Sequence, residues 1–279
     1  MLSTQEGIKL LSGFIKDLKV PGTVIIQGAG LSVAAGIPDF RTPGTGLYSK
    51  IKDKFNLPTP ESIFDISYFR KNPEPFYQIA GDLMPGKIKP TYGHFFSSIL
   101  HRKSKMLRLY TQNIDGLERV AGLSENKLVE AHGNFRGAHC IDCHQKAIFH
   151  DVYRHIKLKI PPRCSKCGGY VKPDIVFFGE NLPERFFDCS ETDFTKCKLM
   201  IVIGTSLLVN PFAAIIDYVK PEVPRFLINN EVAGDFRFNE KGSNDYFIKG
   251  DCQDILKELA NQLGWDNDIK KMMSKCPIK

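Results

Sequence analysis

The sequence predicts an α/β protein whose core is a parallel β-sheet covered by helices on both faces. Short runs of apolar and β-branched residues, such as Thr23–Gln27 (TVIIQ) and Leu199–Ile203 (LMIVI), have the length and composition of buried strands. Stretches with helical spacing lie between such runs, and this alternation is typical of a parallel sheet. Polar or small residues follow at least four of the runs, at the sheet edge where this fold class binds ligands.

The elements can be placed in order along the chain. Apolar residues recur at helical spacing from Ile8 to Leu18, which predicts a first core helix. Further strands are predicted at 107–111, 127–130 and 225–228. Short helical stretches, such as 60–69, are expected in the Pro- and Gly-rich region 42–90. A closing helix is predicted over 253–263, with Gly264 just beyond its end.

Composition excludes a membrane-spanning protein. The chain has 279 residues, of which 42% are hydrophobic, and it contains no run of 18 apolar residues. A net charge of +7 could attract nucleic acid, but basic residues are scattered and cluster only briefly, as at 101–105. We therefore do not expect direct nucleic-acid binding as the main function. The N-terminal segment has acidic residues and no arginine, so we expect no transit or signal peptide and a cytoplasmic or nuclear protein.

Two C-x-x-C pairs predict a structural zinc site. Cys140 and Cys143 form the first pair, and Cys164 and Cys167 follow after 20 residues. Four thiolates complete the tetrahedral coordination of Zn²⁺ and leave no position for water. We therefore expect one structural, non-catalytic zinc ion per chain. The remaining four cysteines are scattered along the sequence and are interpreted as free thiols.

The loop after the first strand is interpreted as a nucleotide-binding turn. Gly28 and Gly30 follow the strand directly, which allows backbone N–H groups to approach a pyrophosphate at a helix N-terminus. Val33 replaces the third glycine of G-x-G-x-x-G, and no acidic residue ends a second strand about twenty positions on. A tight structural turn remains an alternative. In the following GIPDFR sequence, Arg41 could pair with a phosphate and Phe40 could cover a reactive face.

Together these motifs resemble those of the class I sirtuins, in the same order. The shared motifs are GAGLS, GIPDFR, TQNIDGLER, EAHG, the two cysteine pairs, KPDIVFFGE, GTSL and LIN. The resemblance runs from about Gly28 to about Leu263. It implies a Rossmann-type parallel-sheet domain into which a smaller zinc-binding and helical domain is inserted. The Rossmann-type domain would comprise 1–46, 90–136 and 172–279, the helical module 47–89 and the zinc-binding module 137–171.

The resemblance also implies a role for each matching residue. His132 would be the general base, and Asn113 would order the ribose of NAD and a water molecule. Asp115 would bind the nicotinamide carboxamide. The residues implied to bind NAD are Gly28, Ala29, Gly30, Asp39, Phe40, Arg41, Gln112, Asn113, Ile114, Asp115, Gly204, Thr205, Ser206, Asn229, Glu231, Asp251 and Cys252. The residues implied to hold the substrate peptide and lysine stem are Phe64, Val176, Phe178, Gly179 and Glu180.

The implied activity is NAD-dependent removal of acetyl, or of longer fatty acyl, groups from lysine in histone or non-histone substrates. NAD would act as a co-substrate, because nicotinamide is released and the acyl group is transferred to ADP-ribose. Acid-selective sirtuins carry a Tyr-x-x-Arg pair in the helical module. The matching stretch in this sequence is Ile63-Phe64-Asp65-Ile66, which offers no arginine to a succinyl carboxylate.

Three other functions are considered. A zinc-ribbon nucleic-acid module would explain the cysteines and the positive charge, but it leaves GIPDFR, QNID and His132 unexplained. A mono-ADP-ribosyltransferase on the same scaffold would share NAD and all the loops, so the sequence does not separate it from a deacylase. A hydride-transferring dehydrogenase is disfavoured by the altered glycine pattern and the missing acidic residue.

Overall fold

A parallel β-sheet forms the centre of the protein. The computed structural model describes residues 2–40, 42, 44–52, 54–86 and 88–276. The strands are β1 (Thr23–Gln27), β2 (Met106–Thr111), β3 (Leu128–Glu130), β4 (Gly133–Cys140), β5 (Val171–Ile175), β6 (Leu199–Ile203), β7 (Arg225–Asn229) and β8 (Asp245–Lys249). Six of them form one sheet in the order β3-β2-β1-β6-β7-β8, and β4 pairs with β5 in a separate antiparallel sheet.

The order of strands in the large sheet reverses between β1 and β6. All neighbouring strands of this sheet run parallel, and the arrangement is that of a Rossmann-type sheet. Ligands in such sheets bind beyond the carboxyl ends of the strands that flank the reversal. The predicted fold class is confirmed. The position of the reversal indicates that a ligand would bind at the loops after Gln27 and Ile203.

Helices cover the sheet on both faces. The α-helices are α1 (Thr4–Asp17), α2 (Leu47–Lys52), α3 (Ile66–Lys71), α4 (Glu74–Leu83), α5 (Tyr92–Arg102), α6 (Leu117–Val120), α7 (Phe149–Leu158), α8 (Glu184–Lys196), α9 (Cys252–Leu263) and α10 (Asp266–Lys275). Ser3 and Glu6 form a capping box at the start of α1, and Gly264 ends α9 in the left-handed conformation. The predicted first helix and the predicted helix over 253–263 are confirmed, but the latter does not close the fold, because α10 follows it. In the described part of the chain, no helix has the length and hydropathy to cross a membrane.

Alternate residues of each central strand face opposite helical layers. Ile25 and Ile201 pack in a cluster with residues of α1, α5 and α9. Val24 and Val202 point to the other face, where α8 and the 3₁₀ helix Phe212–Tyr218 cover them. Side chains alternate across a strand, so a sheet that is covered on both faces needs apolar residues at every position. This is why the central strands are continuous apolar runs in the sequence.

A separate core joins two stretches that are far apart in the sequence. Most of its buried aromatic residues come from the region of α2 to α4, whereas Phe135, Phe177 and most of its other apolar residues come from β4, α7, β5 and the segment after β5. The rings of Phe76 and Phe177 lie 5.1 Å apart in an edge-to-face contact, one of several in this core. The helical and cysteine-bearing parts therefore pack as one small unit. The segment boundaries given above stay predictions.

Two local predictions were wrong. The stretch 60–69 is not one helix: a 3₁₀ helix (Pro60–Phe64) is followed by α3, because the Asp65 carboxylate accepts the Tyr68 N–H at 2.8 Å and begins a new helix. After β1 the chain forms two 3₁₀ turns, Ala29–Leu31 and Val33–Ala35. Among the described residues the next α-helix begins only at Leu47, so the helix that this interpretation places after β1 is a pair of 3₁₀ turns.

Candidate active site

A cleft of about 740 Å³ lies beyond the carboxyl ends of β1, β2 and β6, where it also meets the small unit. Most of the predicted NAD-binding and substrate-binding residues line it. They are Gly28, Ala29, Gly30, Asp39, Phe40, Phe64, Gln112, Asn113, Ile114, His132, Val176, Phe178, Gly179, Glu180, Gly204, Thr205, Ser206, Asn229, Glu231, Asp251 and Cys252. Asp115 is not on the wall, and Arg41 lies outside the described residues. The individual roles of these residues stay predictions.

The glycines of the predicted nucleotide turn lie against the loop that follows β6. The Gly30 N–H donates to the Gly204 carbonyl at 2.9 Å. A Cβ atom at Gly28 would lie 2.6 Å from the Thr205 Cβ, and one at Gly30 would lie 2.9 Å from the Gly204 Cα. Gly204 itself has a φ of +59°, which side chains disfavour. These glycines are therefore required for the contact between two strand-end loops, whatever they contribute to phosphate binding.

Amide side chains connect the loops of the cleft. Gln112 Nε2 donates to Thr205 Oγ1 at 2.7 Å. Asn113 Nδ2 donates to the Gly28 carbonyl at 3.1 Å and to Ser32 Oγ at 3.2 Å. Because Asn113 is buried as well as hydrogen-bonded, its amide is held in one orientation at the floor of the cleft.

Asp115 lies behind the wall of the cleft. Its Oδ2 accepts the Ser32 hydroxyl at 2.7 Å, and its Oδ1 accepts the Leu117 N–H at 2.9 Å. Burial raises the pKa of this carboxyl group, while the two donors oppose the rise. The predicted contact of Asp115 with a carboxamide would therefore add a third donor to a carboxylate that already has two.

His94 and Glu118 lie beside Asp115 in a buried cluster that resembles a metal site. One potential ligand atom of each residue lies within 4.8 Å of the others. However, His94 Nδ1 accepts the Thr91 N–H at 3.1 Å, so the proton of the neutral ring is on Nε2, which faces Ser32 Oγ at 3.5 Å. Burial lowers the pKa of His94 to about 3, so the ring is neutral near pH 7. A protonated Nε2 has no lone pair for a metal ion, and His94 and Asp115 are instead joined through the Ser32 hydroxyl.

Glu118 is the acid of this cluster that holds a proton. It is fully buried. Burial raises its pKa to about 8, and the nearby Asp115 carboxylate adds to the effect. The Glu118 carboxyl group is therefore predominantly neutral at pH 7, next to an aspartate that is held by two donors.

His132 lies two residues after the end of β3, on the wall of the cleft. Its ring contacts the Phe212 ring, with centroids 5.8 Å apart. The N–H of the preceding Ala131 donates to the Thr111 carbonyl at 2.9 Å, and the His132 carbonyl accepts the Val176 N–H at 2.8 Å. The sheet and the small unit thus fix the backbone of His132 from both sides. An imidazole is the side chain that most often serves as a general base in enzymes.

The substrate segment, residues 175–180, forms the opposite wall. The Phe178 N–H donates to the Phe64 carbonyl at 2.7 Å, and the Ile66 N–H donates to the Phe178 carbonyl at 3.0 Å. These bonds attach the segment to the helical part of the small unit. The Phe178 side chain is nevertheless 38% exposed, so it is available to contact a ligand.

Two carboxylates predicted to bind ligands are engaged by the protein's own groups. Asp39 Oδ1 accepts the Thr42 N–H at 2.8 Å. Glu180 Oε2 accepts the Phe177 N–H at 2.7 Å and forms an ion pair with Lys172 Nζ at 3.0 Å. Their observed hydrogen bonds fix the loops that line the cleft.

The far end of the cleft is formed by the loops after β7 and β8. Asn229 Nδ2 donates to the Glu231 carbonyl at 2.9 Å and to the Thr205 carbonyl at 3.3 Å. The Cys252 thiol lies 3.7 Å from the Gly30 carbonyl. Residues that the sequence predicts for the adenosine half of NAD are thus brought next to the glycine turn.

The four paired cysteines come together in the small unit. Sγ atoms are 3.4 Å apart between Cys140 and Cys167 and 3.7 Å apart between Cys143 and Cys164. Tetrahedral Zn²⁺ with Zn–S bonds of about 2.3 Å requires Sγ atoms roughly 3.8 Å apart, so the set fits zinc. The Lys166 N–H donates to Cys164 Sγ at 3.4 Å, a contact that stabilises a thiolate ligand. The predicted ligand set is confirmed as a cluster that could bind one zinc ion.

Several residues with prominent contacts in or beside the site were not singled out from the sequence. They are Ser32, Tyr48, His94, Glu118 and Lys172. Ser32, Glu118 and Lys172 lie within the motifs GAGLS, TQNIDGLER and KPDIVFFGE, so their positions offered a signal. Tyr48, whose ring lies 5.8 Å from that of Phe40, and His94 offered none.

Comparisons with known proteins agree with this geometry. A family model described as "Sir2 family" matches residues 28–211. "NAD-dependent deacetylase sir2A" of Dictyostelium discoideum is 49% identical over 276 residues, covering 95% of this chain and 53% of that protein. "NAD-dependent protein deacetylase hst2" of Schizosaccharomyces pombe is 46% identical, over 98% of this chain and 81% of that protein. "NAD-dependent protein deacetylase HST2" of Candida albicans is 45% identical, over 100% of this chain and 83% of that protein. The chain thus spans about half of the first of these relatives and about four fifths of the other two.

Proposed function

The chain belongs to the Sir2 family, and from this premise we propose that it is an NAD-dependent protein lysine deacetylase. It removes acetyl groups from lysine side chains of acetylated protein or peptide substrates. The observation that carries the proposal is the single cleft in which His132, Asn113, the glycine turn and the substrate segment meet. The relatives described above are all named NAD-dependent deacetylases, which supports the same reaction.

The residues of the cleft divide the work of this reaction. Bound NAD supplies the ADP-ribosyl group that receives the acyl group and the nicotinamide that leaves. Asn113, held by two acceptors, orients the ribose at the floor of the cleft. His132 accepts a proton from the ribose diol at its imidazole. Phe40, whose ring packs 5.9 Å from that of Phe64, covers the reacting groups and excludes water.

The zinc ion has a structural role in this scheme. Cys140, Cys143, Cys164 and Cys167 would hold it, and four thiolates leave no coordination site for substrate. Its ligands flank the β4–β5 sheet, and β5 leads directly into the substrate segment.

Product analysis tests the proposed function. The purified chain is incubated with an acetyl-lysine peptide, with and without NAD, and the products are identified by mass spectrometry. We expect deacetylated peptide, nicotinamide and O-acetyl-ADP-ribose in equal amounts, and only with NAD. Label transfer from NAD to protein without deacetylation would instead indicate a mono-ADP-ribosyltransferase. Salt-dependent DNA binding without NAD turnover would indicate a nucleic-acid module.

Two finer aspects belong to the same proposal. The substrates are acetylated histone or non-histone proteins, and parallel assays with acetylated histone peptides and an unrelated acetylated peptide would distinguish these two classes. The protein acts in the cytoplasm or the nucleus, which its eight cysteines support because none of them forms a disulfide, as is usual in reducing compartments. Microscopy of the tagged full-length protein would show a membrane-enclosed location if this is wrong.

A further inference from the structure

Lys172 is a buried lysine that the chemistry described above does not use. It lies on β5 and is 6% exposed. Its Nζ donates to the Pro173 carbonyl at 3.1 Å and to the Ile175 carbonyl, and it pairs with Glu180 Oε2 at 3.0 Å. Nζ also lies 4.5 Å from the centre of the Phe177 ring. An ammonium group has three N–H donors, and these three acceptors satisfy all of them.

The same contacts define the shape of the substrate segment. Glu180 Oε2 accepts the Phe177 N–H at 2.7 Å, while the Glu180 N–H donates to the Phe177 carbonyl at 3.0 Å. Gly179, with a φ of +89°, completes the resulting turn. The ion pair of Lys172 with Glu180 joins a residue before the segment to its last residue. The segment is thus closed into a loop by one buried cation.

The loop has its remaining backbone contacts at the cleft. The Val176 N–H donates to the His132 carbonyl at 2.8 Å, and the Phe178 N–H donates to the Phe64 carbonyl at 2.7 Å. A change in the shape of the loop would therefore shift the wall that faces the peptide relative to the general base. All three N–H donors of the Lys172 ammonium bond to acceptors of the protein itself, so none is left to bind the peptide.

We propose that Lys172 is a positioning residue for the substrate peptide; the proposal rests on the deacetylase function proposed above. Without the ammonium, Glu180 loses its cation, and its carboxylate, already 29% exposed, is free to turn to solvent. The Phe177 N–H then loses its acceptor and the segment becomes mobile. Binding the peptide would have to order it again, which weakens peptide affinity. NAD affinity should be preserved, because within the described residues the glycine turn and the loop after β6 make no hydrogen bond to Lys172.

Four variants test this proposal. Lys172→Met removes the charge, Lys172→Arg keeps it, and Glu180→Gln keeps an acceptor for the Phe177 N–H while removing the ion pair. Lys71→Met, an exposed lysine at the end of α3, is the matched control. For each, kcat and the separate KM values for acetyl-peptide and NAD are measured, together with zinc content and Tm.

We expect Lys172→Met to raise the peptide KM by about tenfold or more, while the NAD KM stays within about twofold. Lys172→Arg should restore most of the peptide affinity. Glu180→Gln should raise the peptide KM by less than Lys172→Met does. Lys71→Met should have the same kinetic constants as the unmodified protein.

An unchanged peptide KM in folded Lys172→Met, or an equal rise in both KM values, would overturn the proposal. If Lys172→Met does not fold, an unchanged peptide KM in Glu180→Gln overturns it. An unmodified protein that does not deacetylate the peptide refutes the proposed function instead.

Discussion

At the scale of single residues, His132 is held by its backbone while its imidazole faces the cleft. Its carbonyl bonds to Val176, and the ring packs on Phe212. We predict that His132→Ala or His132→Tyr lowers the deacetylation rate by roughly 10²–10⁴-fold, the usual effect of removing a general base. The measurement is single-turnover release of deacetylated peptide.

The control for this prediction is the fold of the variant. Because the contacts that fix the His132 backbone do not depend on the imidazole, Tm and zinc content should stay close to those of the unmodified protein. A folded variant with near-normal turnover would show that another group accepts the proton.

Glu118 gives a prediction for pH dependence. Its pKa rises from 4.5 to about 8 in the folded protein, so the folded state binds the proton more tightly than the unfolded chain. Its contribution to stability is therefore complete below pH 4.5 and is lost as pH rises towards 8. His94, whose folded pKa is about 3, is predominantly neutral in both states above pH 6.5 and does not oppose this trend.

Replacement by glutamine isolates the Glu118 effect. We predict that the Tm of the unmodified protein falls between pH 6.5 and 8.5, and that Glu118→Gln, which cannot ionise, reduces that fall. Thermal unfolding of both proteins at the two pH values is the measurement. Parallel curves would mean that Glu118 does not carry a proton at pH 7.

At the scale of elements, the zinc cluster supports the β4–β5 sheet and the start of the substrate segment. Metal binding and local folding are coupled when thiolates from distant positions share one ion. We predict one zinc per chain, and we predict that a strong chelator, or Cys143→Ser, lowers both Tm and activity although the zinc contacts no substrate.

Cys189→Ser serves as the control for the zinc prediction, because Cys189 lies on α8 and outside the cluster. It should bind zinc and turn over peptide normally. Elemental analysis that finds no zinc in active, folded protein would contradict the prediction.

The elements also show how far sequence patterns reach. The continuous apolar runs of β1 and β6 were predicted to the residue, because both faces of these strands are buried. β8 and α10 were not predicted: the DYFIK strand carries charged ends, and α10 buries little apolar surface, with Ile269 as its one buried residue in the described chain. Short patterns of this kind are decided by tertiary packing rather than by local composition.

For the site, sequence motifs predicted where the cleft lies but not which side chains pair with each other around it. GAGLS and TQNIDGLER predicted which loops converge, since carboxyl ends of parallel strands share one edge. They did not show that Asp115 is buried behind the wall or that the Glu180 carboxylate is paired with Lys172. The motifs mark the positions of these residues, but which side chains pair depends on how the loops turn in three dimensions.

At the scale of the whole molecule, the charges around the cleft predict acyl choice. The described residues that line it include no lysine or arginine. Ile63 is buried in the core of the small unit, and Arg70 is engaged in an ion pair with Asp142. A succinyl carboxylate would lose hydration without gaining a cation, so we predict kcat/KM at least ~100-fold lower than for the acetyl peptide.

The assay compares the acetylated and succinylated forms of one peptide sequence at a saturating concentration of NAD. A myristoylated version shows whether a longer apolar chain is also accepted. Similar kcat/KM values for acetyl and succinyl peptides would show that a basic residue reaches the acyl group.

The division of the small unit between two distant stretches of chain has a consequence for synthesis on the ribosome. Phe64, Phe69 and Phe76 emerge about a hundred residues before Phe177, the ring on which they pack. Until then these aromatic side chains have no complete core to enter. The nascent chain therefore exposes an aggregation-prone aromatic surface during much of its elongation. Chaperones that bind unfolded chains should bind this surface at that stage.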